Sequence, residues 1–392
     1  MNTQSAATPI RSLDIPNGVP RAAYLHVPFC SHHCGYCNFT VIAGRDDLVD
    51  RYLTAIEREL SWLDKPRPVT TLFLGGGTPT HLSPAALDRL LSIARRWFPL
   101  EADYEFSVEA NPIDIDAERV AVLAAHAVTR VSLGAQSFDA NKLCMLERDH
   151  SPEQIVEAID RLRPVVKSLS LDLIFAAPGE TLDRWSRDLD AALALAPDHL
   201  STYGLTYERG TMFWGRRARG ELVSAVEDAE AAMYELALDR LAAAGFEHYE
   251  VSNLARPGHR CRHNEVYWAG DSYYAAGPGA ARYVDGVREV NHRSTTTYLA
   301  RVLAGQSPVA ESEHLSPEDV AREALVLGLR RIAGVERAAF ARRFGYALDD
   351  LAGTALARFV AEGLLFDDGR RVALTRRGLL VSDAIWPYLL RR

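Results

Sequence analysis

The chain is poor in several things, and each shortage excludes a class of protein. It has 5 cysteines in 392 residues, an odd and small number that argues against a disulfide framework and for metal or redox use. No apolar run approaches the roughly 20 residues needed to span a bilayer. There is no basic excess: 44 Lys and Arg stand against 52 Asp and Glu, for a formal net charge of −8. Nucleic acid is therefore not expected as a partner, since its phosphates call for a concentrated basic surface. Low-complexity segments and repeats of fixed period are absent from the sequence. Residues 1–20 are polar and carry Pro9, Pro16 and Pro20. They lack the basic start and apolar centre of a signal peptide and read as a loose tail on a cytoplasmic protein.

What is present is an alternation. From residue 21 to 253, short apolar runs take turns with longer amphipathic ones. Strands are expected over 22–27, 71–74, 105–109, 130–133, 168–175 and 199–205. Helices are expected over 46–63, 83–97, 117–127, 151–163, 181–195 and 223–244. In the first helix Leu48, Tyr52, Leu53, Ile56, Leu60 and Leu63 recur at helical spacing. The second opens with Ser83 as N-cap and Pro84 at the first helical position. Six strand–helix units in a row imply a parallel sheet, because each return to a parallel strand needs a crossover. A partial (β/α)6 barrel of the TIM type fits this better than a flat doubly wound sheet. After Pro257 turns and small strands are expected around Gly277-Pro278-Gly279. From 316 onward come helices over 317–332, 335–343 and 349–362, a hairpin turn at 364–369, a strand over 372–375 and a last helix. That order resembles a winged helix. The usual association is nucleic acid, but fold analogy is weak evidence, and in an acidic chain a packing or lid role is expected. The expected organisation is a tail (1–20), the partial barrel (21–253), a linker region (254–315) and a smaller C-terminal α+β domain (316–392).

Three cysteines fall close together directly after the first strand, in Tyr24-Leu25-His26-Val27-Pro28-Phe29-Cys30-Ser31-His32-His33-Cys34-Gly35-Tyr36-Cys37-Asn38-Phe39. Three thiolates on one turn can hold three corners of a cubane cluster and leave the fourth iron without a protein ligand; most electron-transfer clusters have four cysteines. The rival is zinc, with His32 or His33 as a fourth ligand. Zinc sites usually come as two close pairs, and the sequence has no second pair.

This C-x3-C-x2-C loop, with an aromatic before its last cysteine, resembles the radical S-adenosylmethionine superfamily. Tyr24 to Cys30 narrows the resemblance to proteins similar to oxygen-independent coproporphyrinogen oxidase. The resemblance implies a 4Fe–4S cluster on Cys30, Cys34 and Cys37. It also implies S-adenosylmethionine chelating the open iron and an electron that cleaves its sulfonium to a 5′-deoxyadenosyl radical.

Polar residues at the expected strand ends support a ligand there. Gly75-Gly76-Gly77-Thr78 ends the second strand; glycines permit close backbone approach, and free N–H groups there could grip a charged end. Glu109 ends the third and could bind an amino group or a ribose hydroxyl. Gln136 ends the fourth. Arg148 could pair with a carboxylate, or be a solvated arginine beside Glu147 and Asp149. Asp172, amid Leu171, Leu173 and Ile174, is costly to bury without a partner. Tyr203-Gly204 ends the sixth strand and could flank the adenine. Barrels keep their sites on this face. The resemblance assigns Tyr24, Tyr36, Gly76, Gly77, Thr78, Glu109, Gln136, Arg148, Asp172 and Gly204 to S-adenosylmethionine.

Two branches of the family are weighed. The dehydrogenase branch carries a further cysteine two residues after the third; here that position is Phe39. The heme-chaperone branch carries H-N-x-x-Y-W, which here reads His263-Asn264-Glu265-Val266-Tyr267-Trp268 within the linker region. On that reading His263 could ligate heme iron, Asn264 orient the imidazole or bond a propionate, and Tyr267 and Trp268 stack on the porphyrin. The alternative is a buried structural turn with satisfied His and Asn. The sequence departs from the family at Gly35 and Asn38, where proline and aspartate are common, and at Ala281, where a histidine is common. Cys144 and Cys261 read as structural, with Cys261 a weak candidate for a second thiolate ligand. The favoured expectation is a heme chaperone that delivers heme to apo respiratory proteins and takes electrons from a donor. Peripheral membrane contact and the choice between monomer and dimer stay open. The alternatives are a radical enzyme acting on coproporphyrinogen III or another tetrapyrrole and, more distantly, a zinc protein with a DNA-binding tail.

Overall fold

The computed structural model describes residues 18–390, so most of the expected tail lies outside the described residues. Six parallel strands follow one another in chain order: β1 (Ala22–Val27), β2 (Val69–Gly76), β3 (Leu100–Ala110), β4 (Arg130–Gln136), β5 (Ser168–Phe175) and β6 (His199–Gly204). They are joined through α1 (Val49–Ser61), α2 (Pro84–Trp97), α3 (Ala117–Ala125), α4 (Pro152–Leu162) and α5 (Leu182–Ala194), with α6 (Glu227–Ala243) after β6. The helix starts follow from local chemistry. Ser83 Oγ accepts from Ala86 N ahead of Pro84, and Ser151 with Gln154 forms a reciprocal capping box.

Period-two alternation sorts each strand into two faces. Leu72, Leu74, Val108, Val131, Leu133, Leu169 and Leu171 are fully buried, in one core with Leu53, Ile56, Leu87, Leu90 and Ile155 of the helices. Each such side chain stabilises the fold by about 1.5–3 kcal/mol. The other face is polar: Thr71 and Gly75 on β2, Glu105, Ser107 and Glu109 on β3, Arg130 and Ser132 on β4, Ser170 and Asp172 on β5, His199 and Ser201 on β6. Contacts across this face, such as Ser132 Oγ to Asp172 at 3.1 Å and Ser170 Oγ to His199 Nδ1 at 2.8 Å, define a polar lumen.

The sheet is larger than the six strands expected. β7 (Glu247–Glu250) and β8 (Asn253–Ala255) add an antiparallel pair beyond β6, and β9 (Tyr274–Ala276) adds in parallel beside β1, giving the order β9-β1-β2-β3-β4-β5-β6-β8-β7. Residues past 253 thus return to the main sheet. Between β8 and β9 runs a seven-residue helix, α7 (Arg262–Trp268), which packs on β2 at the amino end of the lumen, where His263 Nδ1 meets Thr71 Oγ1 at 3.0 Å.

The C-terminal elements run α8 (Pro317–Leu329), strand Val335–Glu336, α9 (Arg337–Phe344), α10 (Leu348–Ala361), then strands Leu365–Asp367 and Arg371–Leu374. This is the winged-helix order. The helix expected over 335–343 begins as a strand because Val335 and Glu336 pair with Val372 and Arg371. The Glu336 carboxylate then caps the helix at Ala339 N. The domain is fastened under the barrel. Ile332 N donates to Tyr249 O, Val251 N donates to Arg330 O, and the Arg343 guanidinium donates to Ala269 O at 2.9 Å. It therefore backs α7 from below.

Candidate functional site

The loop after β1 carries Cys30, Cys34 and Cys37, all half-buried. A turn with Cys37 N bonded to Cys34 O at 3.0 Å brings the last two round. A ring of polar contacts encloses the thiols. Cys30 Sγ lies 3.4 Å from Thr78 Oγ1, which accepts from Asn111 Nδ2 at 3.0 Å. Asn111 Oδ1 accepts from Arg148 Nη2 at 2.5 Å, and Arg148 Nη1 reaches Cys34 Sγ at 3.6 Å. Burial, reinforced by the neighbouring thiols, pushes Cys30 up to about 12 and raises Cys37. A metal bound there would take the place of those protons, because its charge holds a coordinating thiol deprotonated.

Zinc fits less well than a cluster. His33 Nε2 is held by Cys37 O at 3.2 Å, and His32 Nε2 lies 3.7 Å from Glu147 Oε2, so both rings have partners other than the thiols. Among the described residues, no three His, Cys, Asp or Glu side chains converge on a single ion. One zinc needs all its donors within about 2.3 Å, whereas a cubane takes each thiolate on a different iron.

The other strand-end residues sort by depth. Glu109 Oε2 accepts from Gly76 N at 2.8 Å. Burial, with Asp172 adding to it against the Gly76 bond, lifts the Glu109 carboxyl to about 7. Asp172 sits deeper and is raised by burial, while bonds from the serines around it work the other way. Gln136 ends β4 in the left-handed region, at φ 62°, and turns its amide back over Gly134. Tyr36 packs edge-on against Phe213 at 6.0 Å. Tyr203 is 43% exposed at the mouth, and a side chain at Gly204 would come within 2.7 Å of Glu230 Oε1. Tyr24 lies lower, its hydroxyl 3.1 Å from His26 Nδ1. Arg148 is no solvated arginine: it reaches from the loop into the ring, and its buried Nε has no partner among the described residues. An unpaired guanidinium N–H beside the thiols suits the carboxylate of an amino acid.

The glycine expectation needs correction. The N–H groups of Gly76, Gly77 and Thr78 are not free, since they donate to Glu109 Oε2, Val27 O and Phe29 O. Gly76 is required by packing: at φ 107° a Cβ would sit 2.2 Å from the His26 ring.

The heme motif also needs correction. His263 is 1% exposed, with Nδ1 bonded to Thr71 Oγ1 at 3.0 Å and Nε2 to Tyr267 OH at 2.8 Å. Burial, helped by Arg130, lowers it to about 3, so the ring is neutral. Its face lies 5.1 Å from the Phe73 ring and 6.5 Å from the Tyr24 ring. Tyr267 stands edge-on to Tyr273 at 4.7 Å, and the Arg330 guanidinium covers Trp268 at 4.7 Å. Asn264 is half-buried on the same helix. Neither ring nitrogen offers a lone pair to an axial position, and the two aromatic faces are already packed. The motif residues as arranged do not fit heme; they build a floor. Cys261 belongs to that floor, fully buried with Sγ 3.7 Å from Glu105 Oε1.

Sequence reasoning missed Asn111, which links Thr78 to Arg148, and Glu147, which accepts from Gly35 N at 2.7 Å. Asn111 had a signal, as it follows Glu109 by two residues ahead of Pro112. Glu147 had none beyond adjacency to Arg148.

Three thiols in a loop at the carboxyl end of β1, ringed from successive strand ends of a parallel sheet, define a protein of the radical S-adenosylmethionine class. The Radical SAM superfamily model matches residues 24–192, and the HemN C-terminal domain model matches residues 315–381. The chain is 41% identical to a heme chaperone HemW of Mycobacterium tuberculosis, covering 95% of each chain. It is 34% identical to a heme chaperone HemW of Bacillus subtilis, covering 94% of this chain and 99% of that one. The solved coproporphyrinogen III oxidase (HemN) of Escherichia coli, a radical SAM enzyme, matches with a TM-score of 0.84 over 96% of this chain and 91% of that one, at 22% identity; that is a likeness of fold. The chain belongs to the HemW family. Among the described residues no helix is long and apolar enough to cross a membrane.

Proposed function

We propose that this protein is a heme chaperone. It binds heme, holds a 4Fe–4S cluster on Cys30, Cys34 and Cys37 with S-adenosylmethionine beside it, and passes the heme to apo respiratory proteins in the cytoplasm. The observation that carries this reading is similarity to heme chaperones along nearly the whole chain. Phe39, 64% exposed, where the dehydrogenases have a further cysteine, supports it. Tyr24, Tyr36, Gly76, Gly77, Thr78, Glu109, Gln136, Arg148, Asp172 and Gly204 would surround S-adenosylmethionine. The orphaned Arg148 Nε favours a carboxylate there, and Glu109 an ammonium group. When bound, cluster and cofactor together supply one-electron cleavage of the sulfonium.

The test is hemin titration of the anaerobically reconstituted protein, followed by mixing with a heme-free respiratory cytochrome. Saturable binding and appearance of the cytochrome spectrum are expected; no binding overturns the reading. A second reading, a radical enzyme on a tetrapyrrole, is favoured by the intact ring of polar groups around the thiols. Incubation with reductant, S-adenosylmethionine and coproporphyrinogen III separates the two: vinyl products would establish the enzyme.

A further inference from the structure

One side chain joins the two halves of the polar ring around the thiols. Asn111 stands one residue past β3 and just ahead of Pro112. A proline disfavours helical backbone in the residue before it, and Asn111 is extended, at φ −99° and ψ 145°. Its amide lies between Arg148 Nη2 at 2.5 Å and Thr78 Oγ1 at 3.0 Å. The direction of each bond follows from what each group can give. A guanidinium only donates, so the Asn111 atom facing it is the oxygen, and the amide nitrogen faces Thr78. The Thr78 hydroxyl accepts from Asn111 and has one proton left to give, with Cys30 Sγ 3.4 Å away. Thr78 is buried, so water does not compete for that proton.

A thiolate that ligates iron can only accept. The last bond is then fixed as Thr78 O–H to Cys30 Sγ. The result is a one-way chain from Arg148 through Asn111 and Thr78 to Cys30, in which each bond polarises the next. A second arm of the same guanidinium meets Cys34 Sγ at 3.6 Å. An aspartate at position 111 would fill nearly the same space and act differently. It has no N–H for Thr78, would draw the threonine proton to itself and would cancel the charge on Arg148. The amide accepts from the cation without neutralising it and turns the hydroxyl toward the sulfur.

Hydrogen bonds to ligating sulfurs favour the reduced, more negative form of an iron–sulfur cluster and so help to set its potential. We infer that Asn111 is a positioning residue for the cluster: by turning the Thr78 hydroxyl onto Cys30 it raises the potential at which a cluster held there accepts an electron. The inference rests on the reading of Cys30, Cys34 and Cys37 as cluster ligands.

The experiment measures the reduction potential of the full-length, anaerobically reconstituted protein without S-adenosylmethionine. A mediated redox titration follows the electron paramagnetic resonance signal of the reduced cluster. The variants are Asn111→Leu, Thr78→Val, their double and Asn111→Asp, each checked for iron and sulfide content and melting temperature. In Asn111→Leu the Arg148 guanidinium keeps its bond to Gly134 O at 3.2 Å, which holds it beside Cys34. Asn111→Leu and Thr78→Val should each lower the potential, with the reduced-to-oxidised ratio at a fixed solution potential down by about fivefold. The double should fall no further than either single, because both remove the same chain. Asn111→Asp should fall furthest, since it also adds a negative charge. If Asn111→Leu carries a full cluster at the wild-type potential, or if the two single shifts add in the double, Asn111 only packs the loop and the inference fails. Should Asn111→Leu take up no cluster, Asn111→Asp decides, and a potential at or above that of the wild type overturns the inference. A wild type that assembles no cluster overturns the cluster reading itself.

Discussion

The two ends of the lumen are built from similar residues and end in opposite states. At the mouth, Cys30, Cys34, Cys37, Arg148 and Glu109 are half-buried, with Arg148 Nε unpaired among the described residues. At the floor, His263, Tyr267, Thr71 and Glu105 are closed on one another, and the C-terminal domain backs them. Both ends carry a motif that stands out in the sequence. The difference shows that a recognisable motif marks where polar groups gather, while partner geometry decides whether they are available. The mouth keeps its polar groups for a ligand, and the floor uses them to seal the barrel.

The largest effect expected is all-or-none and strikes the mouth alone. Cys34→Ala should abolish iron–sulfur absorption after anaerobic reconstitution. Its melting temperature without the cluster should match that of cluster-free wild type, because the thiol is half-buried at the rim. A variant that retains a full cluster would remove Cys34 from the ligand set.

The floor should respond in the reverse manner. His263→Ala leaves Thr71 and Tyr267 without a partner and opens a cavity against Phe73. A loss of about 2–4 kcal/mol in stability is expected, read by urea unfolding, with cluster content unchanged. Loss of cluster without loss of stability would show that the two ends are not divided as described.

The division also explains what was legible in the sequence. Strand–helix alternation revealed β1 to β6 because each strand was long enough to show an apolar face, as Leu169, Leu171 and Leu173 do on β5. β9 was hidden because three residues carry no period. α7 was hidden as well, a single seven-residue helix between Gly258 and Gly270. The thiol loop was legible because its ligands are local in the chain. The state of His263 was not, since Thr71 and Glu105, which hold its ring and its N–H, come from β2 and β3, far away in the chain. Gly76 was legible as a special residue for a mistaken reason, because the His26 ring that requires it lies on a different strand.

A smaller effect tests Arg148. Removing its guanidinium in Arg148→Ala should weaken S-adenosylmethionine binding by about 1.5–3 kcal/mol, or about 10- to 100-fold, by calorimetry on the cluster-loaded protein. Arg148→Lys should recover only part, because a point charge cannot replace the guanidinium fork. Equal affinity in both variants would return Arg148 to a structural role in holding Asn111.

The smallest effect concerns Glu109, and its sign sets mouth against fold. Burial holds the carboxyl near 7 in the folded protein, above the ordinary value of about 4.3. Between those values the folded state binds the proton that the unfolded chain has lost. The Glu109 contribution to stability is therefore fully present below about pH 4 and falls as pH rises toward 7. Binding runs the other way. A ligand ammonium group beside Glu109 needs the charged carboxylate, so affinity for S-adenosylmethionine should rise by about tenfold from pH 6 to pH 8, with a proton released on binding at the lower end. Glu109→Gln should flatten both slopes. Calorimetry in buffers of different ionisation heat reads the proton directly. Binding that is flat with pH in the wild type would mean that Glu109 serves only to hold the Gly76 N–H, making it a structural clamp at the mouth as His263 is at the floor.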